Sequence, residues 1–476
     1  MPPDPILTHA YDPERFRASA HQLVDLLADE LAANLSATQS QSLPWQTPQQ
    51  SEAFWRDLAT QAPSIMDIAR TVLQRSVRIS DPRFIGHQIC TPIPDAILAG
   101  FLTDFVNNGS GVYEMGMAGV AMERWIMDQV AQRLDLPETA AGVMTSGGTL
   151  GNLTALLCAR SVKSPTDVWK SGTSGQLAIM VSEQSHYCVR RAAGIMGWGE
   201  SGIITVPCND RFSMSTDQLP ELYQQATGRG ITVIGVVGSA CGTSTGAFDD
   251  LNAIASFCRH HDLWFHVDGA HGAALAFSDV HKGKLAGIEH ADSVVIDFHK
   301  MLMTPVLASA VLFRRGLDGF RTFCQQADYL FAESNDANWD DLAQRTFECT
   351  KTMMAVKFYT VLAGGGPGLL AANVDRLMAM TGELVREIQR RPAFELAVQP
   401  QCNIVCFRHR HRSAIDLNDW NNRLRQRIIH RGEYYLVQTK LHGQTWLRCT
   451  VTNPMTGPKE FVGMLDQIEQ IATQID

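Results

Sequence analysis

The sequence lacks any uncharged apolar run long enough to span a bilayer, and its N-terminus lacks the basic-then-apolar pattern of a secretion signal. It has no basic surplus: 40 Lys and Arg stand against 49 Asp and Glu, a net charge of −9. A broad cationic surface for nucleic acid or anionic lipid is therefore excluded. The only basic run, residues 408–412 (RHRHR), reads as a solvated turn after a strand. The eleven cysteines are odd in number, scattered and without CxxC spacing, which argues against a zinc site and a disulfide framework. The fifteen histidines are dispersed, no metal-ligand set is evident and no repeat is found. The expectation is a cytoplasmic protein with reduced thiols and with no metal, nucleic-acid or membrane partner. With 45% apolar and 19% charged residues over 476 positions, the chain can build a large core and one or two further domains.

The rest of the chain is organised around residues 293–314 (SVVIDFHKMLMTPVLASAVLFR). The apolar run 294–296 predicts a strand ending in Asp297, Phe298, His299 and Lys300, and a second apolar run, 308–313, follows Pro305. A lysine at the mouth of a buried strand either reaches for solvent or serves as a Schiff-base amine tuned by partial desolvation. Asp268 lies 32 residues earlier (300 − 268), after the apolar run 263–265. It too falls at the carboxyl end of a strand, the edge where open α/β sheets bind ligands. A carboxylate buried beside a cation offsets the desolvation of both and keeps a pyridinium nitrogen protonated. Asp268 and Lys300 at neighbouring strand ends would hold the two poles of a pyridoxal ring. Upstream, residues 143–152 (VMTSGGTLGN) read as strand, small-residue turn and helix, an arrangement that offers free backbone N–H groups to a phosphate.

With these motifs the chain resembles the group II pyridoxal-phosphate-dependent decarboxylases, the family of glutamate, aromatic amino acid, cysteine sulfinate and diaminobutyrate decarboxylases. The family's lysine signature fits from Ser293 through Lys300, Ala308 and Val311 to Arg314 without a gap. The resemblance implies that Lys300 carries the cofactor and that Gly147, Gly148 and Thr149 cradle its phosphate. It implies that Asp268 keeps the ring nitrogen protonated, that Ala270 packs on the ring, and that His186 lies over its face and contacts the substrate carboxylate. His299 would assist proton transfers beside Lys300. Arg448, in a strand before Asn453 and Pro454, matches the arginine that holds the substrate α-carboxylate, a role that suits a bidentate guanidinium. His87, in the proline-punctuated loop 81–94, matches a substrate-facing position, and Tyr113-Glu114 a segment that reaches the neighbouring active site. His271 either faces the substrate or caps its turn. Within residues 238–250 (GSACGTSTGAFDD) the match is shifted, so either Cys241 or Thr243 takes the cofactor-facing place, and Asp249 matches a family Asp.

Two departures stand out. The family's Asp-Ala-Ala-aromatic element is here Asp268-Gly269-Ala270-His271. Residues 331–342 (FAESNDANWDDL) correspond to a mobile catalytic loop in which many relatives place a tyrosine that helps protonate the α-carbon. No tyrosine is present; Trp339 is the only aromatic beyond Phe331, and Tyr329 lies just before.

Asp12-Pro13-Glu14 predicts a helix start, followed by Phe16, Ala20, Leu23, Leu27 and Leu31 on one face, and residues 65–73 predict another helix. The strand–helix alternation over 143–314 predicts a mostly parallel sheet. Residues 345–362 read as a helix, with a break at 364–368 before another long one. Strands at 403–408, 434–438 and 445–451 and helices at 417–430 and 459–471 complete a small α+β domain. The resemblance implies an α/β, aspartate-aminotransferase-like type I fold. An N-terminal helical segment (1–80) would pack across a homodimer with shared active sites. A large pyridoxal-phosphate domain (81–365) and a small C-terminal domain (366–476) would follow. The implied reaction is decarboxylation of an L-amino acid to its amine, with an acidic or small polar side chain preferred. Two alternatives are oxidative decarboxylation–deamination or transamination on the same scaffold, and a catalytically silent partner protein.

Overall fold

Seven short, mostly apolar runs become the strands of one sheet in the computed structural model, which describes residues 4–323, 340–411 and 416–475. They are β1 (Ala141–Thr145), β2 (Leu177–Ser182), β3 (Ile203–Val206), β4 (Thr232–Ser239), β5 (Trp264–Asp268), β6 (Ser293–Asp297) and β7 (Ser309–Phe313). Their order is β1-β7-β6-β5-β4-β2-β3. Neighbours from β3 to β6 pair in parallel, as strands joined by helical crossovers must. The connection from β6 to β7 is short and makes an antiparallel pair, and β7 is antiparallel to β1 as well. As a result β1, β2, β4, β5 and β6 all end at the same edge, at Thr145, Ser182, Ser239, Asp268 and Asp297. Every residue of β2, β5, β6 and β7 is buried, as in a sheet covered on both faces. The helix Gly148–Lys163 packs Ala155, Leu156 and Ala159 into a core with Ile179, Val237, Val295 and Val311. The crossover helix Leu251–His260 is capped by Asp250, which accepts from Ala253 N.

By contact the chain divides into two units, Gln88–Gly382 with Leu396–Cys406, and Met1–His87 with Glu383–Glu395 and Phe407–Asp476. The whole seven-stranded sheet lies in the former. In the latter, the helix Pro13–Leu35 starts at Asp12, as its sequence predicts, and the helix Ile65–Arg75 is closed by a Ser64–Asp67 capping box. A four-stranded sheet has β8 (Phe394–Leu396), β9 (Ile404–His409), β10 (Val437–Leu441) and β11 (Gln444–Thr450) in the order β10-β11-β9-β8, and of these β10 and β11 lie wholly in this unit. The helices Leu417–Arg431 and Pro458–Ala472 also belong to this second unit.

Three expectations are corrected. The helix over 345–362 is not formed as a whole: α-helix runs only from Ala355 to Tyr359, with a π-turn at Thr360–Gly364. The preceding stretch is drawn inward because Lys351 Nζ pairs with Glu123 Oε1 and Met144 O, each at 2.7 Å, with the lysine side chain fully buried. The strand expected over 434–438 begins only at Val437, because Tyr435 exchanges backbone bonds with Arg83 and Ile85 instead. The basic run is not a solvated turn: Arg408 and His409 belong to β9, Arg408 and Arg410 both pair with Glu395, and His409 is buried.

Candidate active site

Since five strands end at one edge, the residues just past those ends meet there. Ser146, Gly147, Gly148 and Thr149 follow β1, His186 and Tyr187 follow β2, and Cys241 and Thr243 follow β4. Asp268, Ala270 and His271 close β5, and Asp297, His299 and Lys300 close β6. All of them line one cavity of about 310 Å³. Both residues between which the sequence leaves the cofactor-facing place open, Cys241 and Thr243, are on its wall.

The turn after β1 requires glycine at two positions. Gly147, which caps the helix Gly148–Lys163, has φ +107°, a conformation that side chains resist. A Cβ on Gly148 would lie 2.9 Å from both carboxylate oxygens of Asp297. The amides of Gly148 and Thr149 precede the first intrahelical bonds, so they are available to an anion.

On the opposite side Asp268 ends β5, beside Ser239 of β4, and is 8% exposed. Its Oδ1 accepts from Ala270 N at 3.2 Å. Behind it His266 anchors β5 to the anion-facing helix. Trp264 Nε1 donates to Ser293 Oγ at 2.9 Å, which donates to His266 Nδ1 at 2.9 Å. His266 Nε2 then donates to Asn152 Oδ1 at 2.7 Å, and Asn152 Nδ2 donates to Gly148 O. Full burial pushes His266 down to about 4, so it is neutral near pH 7.

Lys300 Nζ lies 3.0 Å from Asp297 Oδ2. Burial works to lower the affinity of the amine for its proton, but Asp297 and Asp268 outweigh it and hold it above the ordinary lysine value. Burial works to raise Asp297, yet Lys300, His299 and the Ser309 hydroxyl keep it below the usual carboxylate range. His299 Nδ1 donates to Ala308 O at 2.9 Å, leaving Nε2 3.8 Å from Asp297 Oδ2. His186 opens the helix Tyr187–Ile195, with Nδ1 accepting from Cys188 N at 3.3 Å. Burial lowers its proton affinity. His271 is both a cavity wall and a tied residue, since Nε2 meets Asn403 Oδ1 at 2.6 Å.

The remaining two candidates are described in the other unit. Arg448 is buried on β11, opposite Val437. His87 packs near Tyr435 with ring centroids 5.6 Å apart. Burial, then the charges of Arg448 and Arg425, push His87 below the ordinary histidine value. Residues 331–339, most of the expected catalytic loop, lie outside the described residues, as does Tyr329. Sequence reasoning passed over Asp297, His266, Asn152 and Asn403 as site residues. The one signal for Asp297 was its place within the lysine signature; the other three announce themselves only through contacts remote in sequence.

The set fits pyridoxal phosphate on its chemistry. It offers free amides at a helix N-terminus for a phosphate, a buried carboxylate for a ring nitrogen, an amine for an aldehyde and a cavity of fitting size. A family model described as the pyridoxal-dependent decarboxylase conserved domain matches residues 44–410. The L-2,4-diaminobutyrate decarboxylase of Rhizobium meliloti (strain 1021) is 29% identical over 87% of this chain and 83% of its own length. The cysteine sulfinic acid decarboxylase of Mus musculus is 28% identical over 99% of each chain. The crystal structure of mouse CSAD superposes with a TM-score of 0.89 at 26% identity, covering 97% of this chain and 99% of that one.

Proposed function

The chain belongs to the pyridoxal-dependent decarboxylases, which remove the carboxyl group of an amino acid with the help of pyridoxal phosphate, and from that premise we propose how its own residues divide the work. Lys300 would bear the cofactor, the amides of Gly148 and Thr149 with Gly147 would hold its phosphate, Asp268 would keep its ring nitrogen protonated, and Ala270 would pack on the ring. Bound there, pyridoxal phosphate would supply an electron-withdrawing ring, a sink for the electron pair of the bond to the departing carboxyl group. The protein chooses which bond breaks. His186, at the start of its helix, would cover the ring and orient the substrate carboxylate. Arg448 and His87 contribute to substrate binding, and His271, held by Asn403, borders the substrate's side of the cavity. His299, anchored on Ala308 O, is placed to move a proton at Nε2 next to Lys300. The observation that carries this reading is the convergence of Lys300, Asp268, His186 and the Gly147–Gly148 turn on one cavity.

We take the substrate to be an L-amino acid with a short polar side chain. Both the diaminobutyrate and the cysteine sulfinic acid enzymes named above fit that class. The working form is a homodimer, supported by large apolar side chains left exposed along the helix Pro94–Val106: Leu98, Phe101, Leu102 and Phe105. A cytoplasmic location accords with cysteines that are all free among the described residues. Aldehyde-forming and non-catalytic readings are not favoured by these relatives.

The test is a product assay with added cofactor and a panel containing 2,4-diaminobutyrate, aspartate, glutamate, cysteine sulfinate and aromatic amino acids. Amine and aldehyde are followed together by mass spectrometry, with Lys300→Ala as the blank. Amine from one substrate, absent in the blank, is the expected result. Aldehyde with ammonia in place of amine would refute it.

A further inference from the structure

Lys300 is held in a charge state opposed to its task. A lysine attacks a carbonyl as the free amine, and burial alone drives a lysine toward that form. Here the ammonium instead meets a carboxylate, Asp297 Oδ2, at 3.0 Å. That carboxylate is fixed independently of the lysine. Ser309 Oγ donates to Oδ1 at 2.5 Å, and the Asp297 side chain is only 2% exposed. The close approach of Gly148 sets both oxygens against the N-terminus of the helix Gly148–Lys163, whose dipole favours an anion. Asp297 thus cannot swing away when Lys300 moves.

We propose that Asp297 is a latch on Lys300: in the cofactor-free protein it holds Nζ as an ammonium and sets the pH and rate at which this lysine captures an aldehyde. It acts through Lys300 and is therefore a positioning residue. The proposal rests on Lys300 being the cofactor-bearing lysine. For capture, one N–H bond of the ammonium breaks, the proton leaves to solvent and the electron pair stays on Nζ. Nζ then bonds to the carbonyl carbon, its two remaining N–H bonds break, and the carbonyl oxygen departs as water with those two protons. Removing the carboxylate weakens the hold of Nζ on its proton. Each unit by which its pKa falls gives about tenfold more free amine at a pH below it. The other titratable groups around the pair are His299 in the same turn, Asp268 from β5, His186 and Cys188 from the helix after β2, and Cys241 after β4. All of them remain in the variant.

The experiment mixes the full chain, freed of cofactor, with pyridoxal 5′-phosphate and separately with pyridoxal, following the bound chromophore by stopped-flow absorbance across pH. Asp297→Asn is expected to capture both aldehydes about tenfold faster near pH 7.5, with the midpoint of its pH profile about one unit lower. An unmoved profile, or a gain confined to the phosphate-bearing aldehyde, would overturn the latch; the second result would mean that Asp297 acts on the phosphate. A measurement on the unaltered protein guards against misfolding of the variant. Competitive acetylation of Lys300 against pH must place its pKa above that of ordinary lysines, and a value below them overturns the proposal. Lys300→Ala separates the two levels of the argument. Capture that survives in it refutes the role of Lys300, whereas silence there with an unmoved Asp297→Asn profile refutes only the latch.

Discussion

Gly148 shows how little room the anion end of the site has. A methyl group there must displace Asp297, and with it the partner of Lys300. Overpacking of this kind costs about 1–3 kcal/mol. Gly148→Ala should therefore weaken cofactor binding on the order of tenfold or more, read by fluorescence titration of the cofactor-free protein. Unchanged affinity would mean that Asp297 yields freely. Arg448 supports a different prediction. If it binds the substrate carboxylate, Arg448→Lys loses the planar fork and should raise KM by about tenfold, leaving the absorbance of the bound cofactor unaltered. A fall in cofactor occupancy with unchanged KM would refute the assignment.

At the scale of the element, strands and their ends were plainly legible. Apolar runs placed β1, β6 and β7 within a residue or two, and Asp268 and Lys300 emerged as residues at strand ends because each follows such a run. The helix expected over 345–362 failed for a physical reason that no local pattern carries: Lys351 looks like a polar helix position but is buried on Glu123, 228 residues away. His266 was illegible in the same way, since its partner Asn152 lies 114 residues off. That histidine makes a pH prediction. Its folded value, about 4, lies below its ordinary 6.5, so the unfolded chain binds more protons between those values. Stability present above pH 6.5 is lost as pH falls toward 4, by at most about 3 kcal/mol from this group. Urea unfolding at pH 7.5 and 5 should show part of that loss, and His266→Gln, which keeps a donor for Asn152 without titrating, should show less of it. Equal losses in both proteins would place the acid sensitivity elsewhere.

At the scale of the molecule, the helix Pro94–Val106 presents large apolar side chains to solvent. Leu98 and Phe105 are 53% and 68% exposed, and Phe101 and Leu102 between them are also open to solvent. Their i, i+3, i+4, i+7 spacing forms one stripe, and burying such side chains yields about 1.5–3 kcal/mol each. A second copy of the chain is the occupant proposed above. Lysines at two adjacent points of the stripe, Leu98→Lys with Phe101→Lys, would set charges where the copies must meet, at a desolvation cost no salt bridge there offsets. The double variant should sediment at the mass of one chain where the unaltered protein sediments at twice that mass. Its circular dichroism should be retained, because these side chains are not in the monomer's core. The activity of that monomer then decides a larger question. Since Lys300, Asp268, His186 and the Gly147–Gly148 turn all lie within one unit of one chain, the monomer should still bind pyridoxal phosphate. If the active sites are shared, it should bind cofactor and yet lose most of its turnover, the signature of a partner that contributes to the substrate rather than to the ring. Full turnover by a proven monomer would end the case for shared sites.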